Sequence, residues 1–168
     1  ERQIRGFEIQ PSFGIYYVEK DDDISVSEMC DRAMLALQST KSNYLVRYGV
    51  YDDAIIEKIN EEQTIVSEMN AALQGNQFKM MLQPQYDHSN GKVVGAEALV
   101  RWNHPRKGMI SPGVFIPIFE KNGFITKLDE YIWESACKRL RKWLDYGGNV
   151  VPISVNISRV DVYNVNLC

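Results

Sequence analysis

Hydrophobic and polar positions change their spacing along the chain, and each spacing predicts a different element. Residues 6–20 are rich in Phe, Ile, Tyr and Val and run into three consecutive aspartates, which predicts a strand that ends in a turn. Apolar side chains then recur at helical spacing over residues 26–37, directly after Ser25, whose position is typical of a helix cap. Residues 44–51 predict a second strand, so this first region gives strand, helix and strand, too little for an independent core.

A long amphipathic helix is predicted next, over residues 52–73. Its apolar positions, among them Ile55, Ile59 and Val66, keep a spacing of three and four residues, and charged residues fill most of the remainder. Gly75 and the residue after it are typical of a helix end. Because this helix lies between two strand-rich regions, we interpret it as a connecting helix.

The rest of the chain predicts a hairpin followed by alternating helices and strands. An Asn-Gly turn signal separates predicted strands at residues 78–83 and 92–102, and the sequence Gln83-Pro84-Gln85 is expected to end the first of them. Ser111 and Gly123 are expected to cap a helix at its two ends, since Pro112 suits a first helical position. A further helix, expected to open at Thr126 with Asp129 three residues on, and a strand at 150–157 complete an α/β pattern.

Composition narrows the class of protein without defining an activity. Of the 168 residues, 45% are hydrophobic, which indicates a globular chain. The net charge of −3 argues against binding of DNA or RNA through an extended positive surface. No apolar run approaches the roughly 20 residues that cross a bilayer, and the start has no signal-peptide core. Three widely spaced cysteines form no CxxC pair, so we expect reduced thiols in a cytoplasmic protein. Both ends are expected to be cuts within a longer protein.

The first candidate functional residues lie in the predicted strand 92–102. Because side chains alternate along a strand, Glu97, Leu99 and Arg101 share one face. Neighbours on one face lie roughly 7 Å apart, so Glu97 and Arg101 are about twice that distance apart and can converge on one ligand. A carboxylate suits a cation and an arginine suits a phosphate. Spacing alone favours the simpler interpretation, two solvated charges on an exposed face.

Two amide side chains add further candidates. Asn156 lies in a polar file with Ser154 and Ser158, which on alternation alone favours a solvent-facing strand side. The same asparagine offers a carbonyl oxygen, a hard ligand suited to Mg²⁺, Mn²⁺ or Ca²⁺. For Gln83, hydrogen bonding within a loop and contact with a nucleobase or ribose both stay open.

Residues 97–102, Glu-Ala-Leu-Val-Arg-Trp, resemble the motif that names the EAL domain family. Gln83-Pro84, the segment 108–117 and Val155-Asn156-Ile157-Ser158 fit the same family in the same order. The resemblance implies a modified TIM barrel with an antiparallel first strand, and hydrolysis of cyclic di-GMP to pGpG with Mg²⁺ or Mn²⁺. It assigns Glu97 as a catalytic metal ligand and Asn156 as a second metal ligand. It places Arg101 on the substrate phosphate and places Gln83 and Leu99 in the nucleotide pocket.

Residues 1–51 resemble, less specifically, the end of a GGDEF domain, on Ser12-Phe13-Gly14-Ile15 and the helix that contains residues 31–35. Gln38 stands where that family's helix carries a phosphate-contacting lysine, so no cyclase activity is expected. The resemblances together imply part of a tandem GGDEF–EAL signalling protein. Residues 1–51 would be the C-terminal part of a degenerate GGDEF domain, residues 52–75 a connecting helix, and residues 76–168 the N-terminal part of an EAL domain.

The same resemblance carries expectations about activity and partners. The family's other acidic metal ligands and its catalytic lysine lie further along than residue 168, so this chain is expected to be inactive by itself. Cyclic di-GMP is the expected ligand, and a homodimer is expected for the longer protein. The alternative is a non-catalytic cyclic di-GMP receptor or a protein-interaction module.

Overall fold

A computed structural model describes residues 11–40, 46–147 and 150–162 of the chain. The chain divides into two compact units, residues 1–61 and residues 62–168. No helix within the described ranges has both the length and the apolar character that crossing a membrane requires. Each unit contains a sheet of its own.

Unit 1 contains two short parallel strands and one helix, and its last residues, 53–61, begin a second helix that continues into unit 2. Strand β1 (Phe13–Ile15) pairs with β2 (Tyr48–Val50), and helix α1 (Val26–Thr40) packs on both. The predicted cap is confirmed, because the backbone N–H of Glu28 donates to Ser25 Oγ at 3.2 Å. Both strands are shorter than predicted within the described residues, and the predicted positions 6–10 and 44–45 lie outside them.

A pair of glycines sets the close approach of α1 to these strands. Gly14 and Gly49 are directly opposite each other in the β1–β2 pair. A Cβ atom on Gly14 would collide with the carbonyl oxygen of Ala33, and one on Gly49 with that of Ala36. The helix backbone therefore rests on the strands at a distance that only glycine permits.

Unit 2 is organised around one long central strand. The chain enters through helix α2 (Asp53–Gln74), whose bounds are close to those predicted. The sheet has the spatial order β3-β4-β5, with β6 pairing parallel to β4 and the other two pairs antiparallel. The antiparallel first strand implied by the family resemblance is therefore present. The four strands are β3 (Phe78–Tyr86), β4 (Val93–His104), β5 (Gly108–Ile110) and β6 (Ile153–Val155).

The strand predictions for unit 2 need three corrections. The strand expected over 150–157 covers only Ile153–Val155, so Asn156 lies after the strand and not within it. The first strand does not end at Gln83-Pro84-Gln85, since it continues to Tyr86 with Pro84 paired to Ala96. Proline is tolerated there because β3 lies at the edge of the described sheet, where a missing N–H removes no ladder bond. Strand β5 was not predicted, because its three residues are too few to show an alternating pattern.

Three helices cover this sheet or follow it, α3 (Pro112–Asn122), α4 (Ile125–Asp145) and the single turn α5 (Arg159–Val162). Ser111 caps α3 as predicted, and Gly123 ends it with a left-handed φ of 76°. Helix α4 starts one residue before its predicted opening at Thr126 and has no side-chain cap. The side chain of Asn122 accepts a hydrogen bond from the backbone N–H of Phe124 at 3.0 Å, which turns the chain into α4 without help from Asp129.

Aromatic side chains fill the core between the sheet and the helices. Phe78 and Trp102 are directly opposite on β3 and β4, with ring centroids 5.1 Å apart. The buried His104 adds a polar anchor, because its Nδ1 accepts from the backbone N–H groups of Arg106 and Lys107 and its Nε2 lies 2.6 Å from Glu68 Oε2. This core holds one face of β4 inward and leaves the other face available. Other large side chains in this core include Ile65, Phe115, Phe119, Phe124 and Leu128.

Candidate functional site

The register of the β3–β4 hairpin gathers the predicted site residues on one surface. Gln83 lies opposite Glu97, and Leu99 lies opposite Met81. Residues directly opposite in an antiparallel pair share a face of the sheet. We call this surface the site face and define it by the side chains of Lys79, Met81, Gln83, Glu97, Leu99 and Arg101.

Glu97 and Asn156 meet at one end of the site face. Strand β6 pairs with β4 so that Ser154 lies beside Glu97, and the chain leaves the strand after Val155. Asn156 then turns its side chain back, and its Nδ2 donates to Glu97 Oε1 at 3.2 Å. These residues are 59 positions apart in the chain, so the contact depends on the fold rather than on local sequence.

The chemistry of this pair fits a hard divalent cation. One carboxylate and one amide oxygen are the kind of ligands that Mg²⁺, Mn²⁺ and Ca²⁺ prefer. The amide of Asn156 has a donor and an acceptor end, and rotating it presents Oδ1 instead of Nδ2 to the same space. Across residues 11–40, 46–147 and 150–162, no three His, Cys, Asp or Glu side chains gather closely enough to hold a metal ion. The described chain thus offers two oxygen ligands at this point.

The opposite end of the site face is positively charged. Arg101 lies four residues beyond Glu97 on β4, and its Nη1 donates to the carbonyl oxygen of Val100 at 2.8 Å. Lys79 is directly opposite Arg101 on β3, which brings two cations together where like charges repel. An anion bound between the two would relieve that repulsion. The contribution of Lys79 was not predicted, since it follows only from the hairpin register.

Sequence reasoning also missed the residues that hold the segment 156–158, which we call the carrier segment. The indole Nε1 of Trp133 donates to the carbonyl oxygen of Asn156 at 3.1 Å. The backbone N–H of Ser158 donates to Asp129 Oδ2 at 3.0 Å. Asp129 and Trp133 are four residues apart on α4 and therefore share a helix face, which is the signal that could have found them.

Two carboxyl groups lie beneath this segment. Burial raises the pKa of Asp129 to about 7, and a hydrogen bond with the carboxyl group of Asp161 adds to the shift. Burial alone would raise the pKa of Asp161 as well, but hydrogen bonds from Ser158 and Thr126 lower it below its usual value. Below about pH 7 the pair of carboxyl groups therefore holds one proton, and that proton is on Asp129.

Comparisons with known proteins agree with the EAL resemblance. Residues 66–168 match the sequence model described as the EAL domain. MucR of Pseudomonas aeruginosa, a "bifunctional diguanylate cyclase/cyclic di-GMP phosphodiesterase", is 31% identical over 140 residues, which are 83% of this chain and 20% of MucR. The cyclic di-GMP phosphodiesterase NbdA of the same organism is 30% identical over 136 residues, 81% of this chain and 17% of NbdA. This chain thus spans about a fifth of these relatives.

Solved structures show the same fold. The MucR phosphodiesterase in complex with cyclic di-GMP superposes with a TM-score of 0.59 at 36% identity, over 62% of this chain and 42% of that one. The EAL enzyme Bd1971 in its cGMP-bound form gives a TM-score of 0.55 at 28% identity, over 67% of this chain and 32% of that one. The predicted α/β, TIM-barrel-like fold class is confirmed. The GGDEF resemblance of residues 1–51 stays a prediction.

Proposed function

We propose a function from one premise: this chain belongs to the EAL domain family. The proposed reaction is hydrolysis of one phosphodiester bond of cyclic di-GMP to give linear pGpG, in a protein that contains a complete EAL barrel. The observation that carries the proposal is the contact between Glu97 on β4 and Asn156, the residue that follows β6. Asn156 Nδ2 donates to Glu97 Oε1 at 3.2 Å, which brings a carboxylate and a side-chain amide to the same place. The names of MucR and NbdA, which include cyclic di-GMP phosphodiesterase, support the choice of substrate.

Glu97 and Asn156 would hold a divalent cation, Mg²⁺ or Mn²⁺, at their end of the site face. Such a cation supplies Lewis-acid stabilisation of phosphate charge and a more acidic water. Glu97 provides the negative charge that retains the ion, and Asn156 provides a neutral oxygen that leaves the net charge of the site favourable for an anionic substrate. The remaining ligands that two-metal chemistry needs would come from outside the residues described.

Arg101 would bind a phosphate of the nucleotide through its planar guanidinium group, which can donate two parallel hydrogen bonds. Lys79, opposite Arg101, would add a second positive charge at that end. Gln83, opposite Glu97, offers an amide for a base or ribose edge, and Leu99 offers an apolar surface between the two charged ends. The site face would therefore bind cation, nucleoside and phosphate in that order along β4.

Residues 1–51 are proposed to belong to a GGDEF domain, supported by their strand–helix–strand order and by the tandem activities in the name of MucR. The sequence prediction that Gln38 removes cyclase activity goes with this proposal. The cytoplasmic location and the homodimer also stay predictions.

The test is hydrolysis of cyclic di-GMP by a protein in which this chain is followed by the remaining strands of an EAL barrel. Glu97→Gln should lower kcat by about a hundredfold or more, because the neutral amide is a weak ligand for a divalent ion. Arg101→Lys should chiefly raise KM, by about tenfold, because the two-pronged phosphate contact is lost. Glu120→Gln and Arg139→Lys, at exposed positions of α3 and α4, are the matched controls.

The outcomes separate the two functions under comparison. Formation of pGpG that disappears in Glu97→Gln supports the phosphodiesterase. Binding of cyclic di-GMP without hydrolysis would indicate a nucleotide receptor instead. Near-normal hydrolysis by Glu97→Gln would contradict the assignment of Glu97 as a metal ligand.

A further inference from the structure

The position of Asn156 is not explained by the sheet that precedes it. Pairing between β4 and β6 ends with Ala98 opposite Val155, so Asn156 belongs to none of the strand pairs among the described residues. The next residue, Ile157, is 52% exposed and so gives little packing that would hold the segment. Some other contact must therefore fix the direction in which the Asn156 side chain leaves the sheet.

Helix α4 supplies that contact at two backbone points, one on each side of Ile157. Trp133 Nε1 donates to the carbonyl oxygen of Asn156 at 3.1 Å, and Asp129 Oδ2 accepts from the N–H of Ser158 at 3.0 Å. Because one bond restrains the peptide after Asn156 and the other restrains the peptide before Ser158, together they fix the orientation of the carrier segment. Neither bond depends on the identity of the side chain at position 157.

The helix that carries the two anchoring side chains is itself packed against the core. Helix α4 buries Leu128, Ile132 and Ala136, on the side that packs into unit 2. Asp161 is 2% exposed and accepts from Ser158 Oγ at 2.6 Å, and its own N–H donates to the same oxygen at 3.2 Å. Ser158 is thus bonded from α4 and from α5 at once.

We infer that Asp129 and Trp133 are positioning residues that hold the carrier segment so that the Asn156 side chain meets Glu97. The inference rests on the proposed function in that Asn156 and Glu97 are the proposed cation ligands. Both α4 residues lie outside the site face, so their role is distinct from cation or substrate binding. Both residues act through the backbone of residues 156–158.

The test uses NMR spectroscopy of the 168-residue chain without added metal. In Asp129→Ala, exchange of the Ser158 amide proton should be about tenfold faster or more, as expected for loss of a hydrogen bond to a charged or polar acceptor. In Trp133→Phe, which keeps an aromatic ring and removes the N–H donor, the Asn156 side-chain amide signals should move toward those of a free amide. Asp129→Asn keeps an acceptor oxygen and should restore the wild-type pattern.

A matched control and a core reference keep the result interpretable. Glu134→Ala changes an exposed α4 residue that pairs with Lys138 at 2.7 Å, and it should leave the Asn156 signals unchanged. Exchange at Ile132, in the buried part of α4, should stay as in the wild type in every variant. Asn156 side-chain signals that stay at their wild-type positions in both Asp129→Ala and Trp133→Phe would overturn the inference.

A second arm separates this inference from the proposed function. Mn²⁺ added to the wild-type chain should broaden the signals of Asn156, and the broadening should be weaker in Trp133→Phe. Displaced Asn156 signals in the variants, with no Mn²⁺ effect in the wild type, would support the positioning role and contradict the cation site. An Mn²⁺ effect that is equal in wild type, Asp129→Ala and Trp133→Phe would overturn the positioning role and leave the cation site supported.

Discussion

The two faces of strand β4 differ in exposure and in the kind of side chains that they carry. Ala96, Ala98 and Trp102 lie on the core face and are at most 5% exposed. Glu97, Leu99 and Arg101 alternate with them and are all partly exposed on the site face. The core face has closely packed apolar contacts, whereas the site face carries separated charges and an amide contact.

This difference explains how the fold and the chemistry can be specified by one strand. Because the side-chain period of a strand is two residues, burying Trp102 and Ala98 forces Glu97 and Arg101 to the opposite face. The core therefore sets the direction of the site residues without touching them. Changes on the core face should act on stability, and changes on the site face should act on ligand binding.

The largest loss of stability is expected from a substitution on the core face of β4. Trp102→Ala removes a fully buried ring that contacts Phe78 and Phe115 and whose Nε1 donates to Gln77 at 3.0 Å. The free energy of unfolding should fall by about 3–5 kcal/mol. Urea unfolding of the 168-residue chain, followed by circular dichroism, measures the loss. Leu99→Ala on the site face is the matched change, and an equal loss in both variants would contradict the division between the faces.

A smaller effect on the free energy of unfolding is expected from the carboxyl groups of Asp129 and Asp161, which lie behind the carrier segment. Asp129 determines whether stability rises or falls with pH. Its pKa is raised to about 7 in the folded chain, so the folded state holds a proton that the unfolded state releases at lower pH. Stability should therefore fall as the pH rises from about 4 to about 7, and change little from this group above that range. Thermal unfolding between pH 5 and pH 8 measures the slope.

Asp129→Asn should flatten that slope, because it resembles the protonated form and cannot ionise. The pKa of Asp161 is lowered, so its contribution has the opposite sign, present above its unfolded pKa and lost only as acid protonates the folded carboxyl group. The two contributions therefore occupy different pH ranges. A wild-type slope that persists in Asp129→Asn would show that another group produces it.

The smallest effect on stability is expected at the site itself. Glu97→Gln keeps an oxygen that can accept from Asn156 Nδ2, so the free energy of unfolding should change by no more than about 0.5 kcal/mol. Urea unfolding alongside Trp102→Ala makes the comparison direct. A loss as large as that of Trp102→Ala would mean that the carboxylate of Glu97 supports the fold rather than a ligand.

Local patterns were sufficient for part of this architecture. Alternation placed Glu97, Leu99 and Arg101 on one face, and capping residues located the starts of α1 and α3, because these features depend on neighbours in the chain. The continuation of β3 through Pro84 could not be predicted from the proline alone, since it depends on the partner strand lying on one side only.

Long-range contacts account for what sequence reasoning missed at the site. Trp133 and Asp129 reach backbone atoms 23 and 29 residues away. Their spacing of four residues places them on one face of α4, but it does not indicate which distant segment that face binds. Lys79 joins the site face only through the hairpin register. Asp129 was instead expected near the cap of α4, because its distance from Thr126 matches that pattern by coincidence.

The most direct test of the central claim is the site of Mn²⁺ binding on this chain, mapped by paramagnetic broadening of backbone amide signals. If Glu97 and Asn156 form the cation site, broadening should be strongest at residues 96–98 and 155–157. Glu97→Gln should remove it, while Glu120→Gln should leave it unchanged. Broadening that persists in Glu97→Gln, or that is strongest at the acidic turn of residues 21–23, would contradict the claim.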